Sequence, residues 1–140
     1  METTLAIVKP DAVAAGNAGN ILAHLEKQGF KIRGLRVLHL TKAQAEAFYA
    51  VHRERPFYGS LVAFMTEGPV VPVALERENA VVALRDAMGA TDVAKAAPGT
   101  IRNLYGTSIE RNACHGSDSP ENAVKELAFF FSESDLIAAR

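Results

Sequence analysis

The chain has 140 residues, 49% hydrophobic and 22% charged, with 15 Lys and Arg against 16 Asp and Glu for a formal net charge of −1. That length predicts a single domain, 1–140, of an ordinary soluble globular protein that needs no staples. Near-neutral charge argues against a nucleic-acid binder working by a bulk positive field. The lone Cys114 excludes an internal disulfide, and no apolar run is long enough to span a membrane. With METTLAIVKP unlike a secretory signal, these features point to a reducing, cytoplasmic setting.

Thr4-Leu5-Ala6-Ile7-Val8 is an almost wholly apolar run closed by Lys9-Pro10-Asp11, which predicts a buried strand delivering Lys9 to its carboxyl end. From Asn20, the spacing of Ile21, Leu22 and Leu25 predicts a helix stopped by Gly29. Lys31 to Leu40 alternates raggedly and predicts a strand; Thr41-x-x-Gln44 is a capping box that opens a helix through Val51. Pro56 to Met65 suits a further short helix. Val70 to Leu75 reads as a strand in which Pro72 either faces an unpaired position or breaks the pairing. Asn79 to Met88 has helical spacing and Gly89 at its stop. Gly89 to Asn112 lacks regular apolar pattern, as functional loops often do. Ser119-Pro120 supplies an N-cap and a first-turn proline for a short final helix, and Leu127 to Phe131 is apolar enough for the last strand. Four strands with helices between them suggest an α+β sandwich of the βαββαβ kind.

The most informative segment is Asn112-Ala113-Cys114-His115-Gly116-Ser117-Asp118-Ser119. Small and polar neighbours leave an imidazole accessible, and nothing there would pack a core. Gly116 would let the backbone bring a phosphate close. A neutral ring nitrogen is a nucleophile at cellular pH. The other reading is a polar surface loop that happens to hold a histidine. Competing signatures are missing: there is no Gly-x-x-x-x-Gly-Lys-Ser/Thr loop, no Gly-x-Gly-x-x-Gly and no His-Glu-x-x-His. Gly116-Ser117-Asp118-Ser119 lacks the second glycine of a hydrolase elbow. His24, His39 and His52 are scattered without zinc-ligand spacing and read as surface or rim residues.

Six segments in order carry a family resemblance: Val8-Lys9-Pro10-Asp11, Arg55-Pro56-Phe57-Tyr58, Gly68-Pro69-Val70-Val71, Arg85 to Thr91, Gly99-Thr100-Ile101-Arg102, and Asn112 to Ser119. In these the chain resembles a nucleoside diphosphate kinase over nearly its whole length. The resemblance implies a ferredoxin-like fold with an antiparallel four-stranded sheet and helices packed on it. It also implies transfer of a γ-phosphoryl group from a nucleoside triphosphate to a nucleoside diphosphate through a phosphohistidine.

By the same resemblance, His115 matches the histidine phosphorylated on Nδ1, and Glu126 the carboxylate holding the other side of its ring, with Ser117 nearby. Arg85, Thr91 and Arg102 match residues that grip the β- and γ-phosphates, a task suited to the planar guanidinium fork. Lys9 and Asn112 match the pair that reads the ribose hydroxyls, Lys9 and the Tyr49 phenol approach the transferring phosphate, and Phe57 matches the aromatic that stacks on the base. Base identity should then matter little, because every base has a π face. The chain has no dense acidic cluster, so Mg²⁺ is expected to ride on the nucleotide phosphates, with Asp118 touching it through water and no protein metal site. Partners implied are nucleoside di- and triphosphates and a second copy of the chain, as a tetramer or dimer, with no primary nucleic-acid role and no membrane.

Three positions depart from the family pattern. Ala12 stands where glycine is usual, Asp92 where asparagine is common, and Cys114 where an aliphatic is usual, which would make the protein sensitive to oxidation. A non-catalytic nucleotide-binding regulatory module on the same fold is the competing class, since fold does not determine activity. Such a module has no need of the histidine.

Overall fold

In the computed structural model, which describes residues 1–139, the apolar N-terminal run lies inside the sheet. Strand β1 (Glu2–Val8) is flanked by β3 (Val71–Arg77) and β4 (Cys114–Gly116), and β2 (Lys31–Leu35) lies outside β3. The order is β2-β3-β1-β4, with every neighbouring pair antiparallel. A strand covered on both faces carries apolar residues at successive positions. Accordingly Ala6 and Val8 enter one core and Leu5 and Ile7 the other. The first core is closed by α2 (Ala18–Lys27) and α5 (Ala80–Met88) through Ile21, Leu25 and Leu84. The second is closed by α3 (Lys42–Phe48), α4 (Tyr58–Met65) and α7 (Pro120–Phe130) through Ala45, Met65 and Leu127. This is the α+β sandwich that the element order suggests and the ferredoxin-like fold that the resemblance implies.

The punctuation residues act as expected. Thr41 Oγ1 accepts from the Gln44 amide at 3.1 Å while Gln44 Oε1 accepts from the Thr41 amide at 2.9 Å, completing the capping box. α3 gives way to a 3₁₀ turn, Ala50–His52, instead of running unbroken to Val51. Pro72 sits inside an unbroken β3. Its carbonyl accepts the Arg36 amide at 3.2 Å, so its nitrogen also faces the β2 side, beyond the last ladder residue Leu35. The return bond that residue 72 would donate to the Arg36 carbonyl is missing, which fits the end of regular pairing at this position. Regular β2 pairing ends at Leu35, short of Leu40, and Leu38 returns only as an isolated bridge to Val70.

The fourth strand is not where the sequence suggests. Leu127 to Phe131 continues α7 to Phe130, and β4 is Cys114–Gly116. A short apolar run reads equally as strand or helix. Here the helical period decides: Ala123, Leu127 and Phe130 are buried while Val124 and Phe129 are exposed. Ser119 Oγ caps the helix by accepting from the Asn122 amide at 3.1 Å, and Pro120 opens its first turn. The segment from Gly89 to Asn112 also holds more structure than its pattern suggests, with a 3₁₀ turn at Val93–Lys95 and α6 (Ile101–Tyr105) capped by Thr100. Two further short helices escape the pattern reading, α1 (Pro10–Ala14) and α8 (Glu133–Ala138).

Candidate active site at the sheet edge

β4 pairs with β1 so that His115 faces Ile7, Cys114 faces Val8 and Gly116 faces Ala6. Alternation along a strand then sends His115 to the side of α3, α4 and α7, and Cys114 into the opposite core. The segment does pack a core after all: Ala113, Cys114 and Ser117 are buried. Gly116 serves close approach instead of unusual backbone freedom, because its φ is not left-handed. A Cβ there would meet Met88 Cε at 2.6 Å and Leu84 Cδ2 at 3.0 Å.

On its own face His115 meets α7. Its Nε2 hydrogen bonds to Glu126 Oε1 at 2.7 Å, and the Ser117 hydroxyl donates to the same oxygen at 2.9 Å. A carboxylate only accepts when ionised, so Nε2 carries the proton in the neutral ring and Nδ1 keeps its lone pair. Nδ1 makes no hydrogen bond among the described residues. The ring is held by edge-to-face contacts with Phe48 (centroids 5.5 Å apart) and Tyr49 (6.2 Å). The His115 side chain is 19% exposed, accessible at one side.

That accessible side opens into a cavity of about 720 Å³, whose lining brings together His115, Glu126 and the seven residues matched to nucleotide binding, while Ser117 lies behind Glu126 outside it. Lys9 Nζ donates to Asn112 Oδ1 at 2.9 Å, and Asn112 Nδ2 donates to the Thr91 carbonyl at 3.3 Å. Burial, and then the Arg102 guanidinium nearby, push the Lys9 ammonium down from 10.5 to about 8. Arg102 is not a loop residue; it projects from α6, buried, and donates to the Gly89 and Cys114 carbonyls at 3.0 Å each. Its Nε has no partner. Burial lowers its pKa, but a guanidinium remains charged. Gly89, at φ +85°, ends α5 and turns that carbonyl toward Arg102. Arg85 stands on the exposed face of α5 with no hydrogen bond or ion pair among the described residues.

Tyr49 is buried and its hydroxyl has no partner. Burial, with the Glu126 charge, raises its pKa well above the usual phenol range, so the O–H stays intact as a donor. Phe57 is 44% exposed and Ile109 60% exposed, and both line the cavity. Sequence reasoning missed Ile109 and Phe48. The only signals were an isolated aliphatic in the polar stretch Thr107 to Arg111 and an aromatic directly before Tyr49. Of the three scattered histidines, His52 reaches the cavity, beside Phe57, while His24 and His39 bond to backbone carbonyls elsewhere.

The departures are accommodated. Ala12 lies within α1 without a positive φ. Asp92 accepts from the Ala94 amide at 3.1 Å, so its charge caps the 3₁₀ turn. Cys114 is 1% exposed and burial pushes its thiol up to about 11, both of which work against the sensitivity to oxidation expected for it. Among the described residues no group of three or more His, Cys, Asp and Glu side chains is placed to hold a metal. Asp118 lines the cavity, its Oδ1 accepting from Asn122 at 2.6 Å.

The nucleoside diphosphate kinase family model matches residues 2–136. A nucleoside diphosphate kinase of Geotalea uraniireducens is 54% identical over 137 residues, covering 98% of this chain and all of the relative. One from Wolinella succinogenes is 57% identical over 136 residues, covering 97% and 99%. The crystal structure of the Aquifex aeolicus nucleoside diphosphate kinase superposes with a TM-score of 0.93 at 47% identity, covering 96% of this chain and 97% of that one.

Proposed function

The chain belongs to the nucleoside diphosphate kinase family, and from that membership and the cavity around His115 we propose that it works by a ping-pong mechanism through a phosphohistidine. The Nδ1 lone pair attacks the γ-phosphorus of a nucleoside triphosphate. The bond to the β-bridging oxygen breaks, and the diphosphate leaves with that electron pair. A second diphosphate then attacks the phosphorus through a terminal oxygen and regenerates the neutral ring.

The observation that carries this reading is the pair of hydrogen bonds on Glu126 Oε1, from Nε2 of His115 and from Ser117. While the phosphoryl group is on Nδ1, the ring is cationic and its Nε2–H bond to the carboxylate strengthens. A non-catalytic module gives no reason for this arrangement. Arg85, Arg102 and Lys9 offset the triphosphate charge, with Thr91 and the Tyr49 hydroxyl as neutral donors. Asn112 and Lys9 bind the ribose hydroxyls, and Phe57 stacks on the base with Ile109 opposite. Contacts of this kind tolerate any base.

Mg²⁺ carried by the nucleotide would neutralise phosphate charge. A single carboxylate, Asp118, fits an ion that keeps most of its water and phosphate ligands better than it fits a protein cage. We further infer a cytoplasmic enzyme acting as one domain and assembling as a dimer or tetramer. Initial rates measured at several fixed acceptor concentrations test the mechanism: parallel double-reciprocal lines support it and converging lines contradict it. Across diphosphates of the four bases, kcat/KM should vary less than about tenfold, as expected for readout by stacking.

A further inference from the structure

Asn112 and His115 lie three residues apart, and in an extended strand an odd separation puts side chains on opposite faces. Continued pairing of β4 along β1 would send Asn112 to the face of Cys114, away from the histidine. Both nevertheless line the same cavity. The residue that makes this possible is Ala113, fully buried and left-handed at φ +75° despite its Cβ. The Cys114 amide donates to the Asn112 carbonyl at 2.9 Å, closing a γ-turn with Ala113 at its apex. A γ-turn with positive φ is the rare, strained form, and it persists only where its surroundings impose it.

Two contacts do so, both from the segment where β1 enters α1. The Lys9 amide donates to the Ala113 carbonyl at 2.9 Å, and the Ala113 amide donates to Asp11 Oδ2 at 3.1 Å. Asp11 sits in the first turn of α1, and its other oxygen is buried without a partner. A carboxylate with that oxygen unsatisfied is held there by a rigid scaffold. We propose that Asp11 is a positioning residue for the transfer reaction: through the Ala113 amide it holds the strained turn that places Asn112 in register with His115. The inference rests on the phosphohistidine reading above.

Two phosphoryl donors separate registration from folding. A nucleoside triphosphate uses both Asn112 and His115, whereas phosphoramidate, a small donor without ribose, needs only the histidine. With Asp11→Ala, kcat/KM for the triphosphate should fall at least tenfold while phosphoramidate labels His115 within threefold of the parent rate. Asp11→Asn, which retains an acceptor oxygen, should recover most of the loss. Glycine takes φ +75° without strain, so Asp11→Ala is also made on an Ala113→Gly background, which keeps the test available if the single variant does not fold. There the same donor-selective loss, at least fivefold against Ala113→Gly alone, supports the proposal. Parent-like triphosphate kinetics, or equal losses with both donors, overturn it. Absence of label on the parent chain from either donor overturns the reading of His115 and this inference with it.

Discussion

Oε1 of Glu126 lies 2.7 Å from Nε2 of His115, joining α7, four residues before its end at Phe130, to the central residue of the edge strand β4. Because the carboxylate also accepts from the buried Ser117 hydroxyl, its position does not depend on the histidine. The contact fixes which ring nitrogen carries the proton and therefore which one keeps its lone pair for the proposed attack. Removing it with Glu126→Ala deletes a hydrogen bond to an ionised group, worth about 1.5–3 kcal/mol. The kcat should fall roughly ten- to hundredfold with KM little changed. Ser117→Ala should cost less than Glu126→Ala, because the carboxylate keeps its bond to the ring. Steady-state kinetics with saturating acceptor measures both, and a KM effect without loss of kcat would place Glu126 in binding instead.

Arg85 and Arg102 are expected to separate stability from binding. Arg85 touches no partner among the described residues, so Arg85→Ala should leave folding stability within about 0.5 kcal/mol. It should nevertheless raise the nucleotide KM at least about tenfold through loss of charge-assisted phosphate bonds. Arg102→Ala strands the Gly89 and Cys114 carbonyls and should cost about 1–3 kcal/mol of stability as well as binding. Urea unfolding beside kinetics distinguishes them; equal stability loss in both variants would contradict this account.

Lys9 gives the protein an alkaline limb. Its folded-state pKa, about 8, lies below the ordinary 10.5 because burial and Arg102 disfavour the charge. Between those values the unfolded chain holds the extra proton, so stability of the nucleotide-free protein rises with pH across that window, and the burial penalty is fully present below it. Binding runs the other way. In the proposed mechanism phosphate and ribose oxygens bind the charged ammonium, so KM for a diphosphate should be flat below about pH 7.5 and climb as Lys9 deprotonates above pH 8. Lys9→Met should start with a higher KM and lose that rise. A KM unchanged from pH 7 to 9.5 in the parent chain would contradict it.

The apolar β1 run, the Thr41 capping box and the Gly89 stop were readable because each rests on local chemistry or on a short period. β4 was not, since three residues Cys-His-Gly carry no period, and their strand state comes from pairing with Ala6 to Val8. Leu127 to Phe131 reads as a strand in sequence because the burial that distinguishes it, Phe129 out and Phe130 in, depends on what lies beneath the helix. His115, Lys9 and the two arginines were legible through motifs, but their convergence on one cavity was not. Nor was the anchoring of Arg102 to two carbonyls, because backbone acceptors leave no trace in side-chain pattern. The left-handed Ala113 had no signal either: alanine is not a residue that advertises positive φ.

In the proposed mechanism Nδ1 of His115 carries the phosphoryl group between nucleotides. Incubating the protein with γ-labelled triphosphate and Mg²⁺, without acceptor, and then isolating the chain tests it most directly. Close to one label per chain is expected, stable in alkali and lost in acid, placed on Nδ1 by phosphorus NMR, discharged within one turnover by any nucleoside diphosphate, and absent in His115→Asn. A chain that stays unlabelled while turning over both nucleotides, or a label that survives His115→Asn, would contradict it.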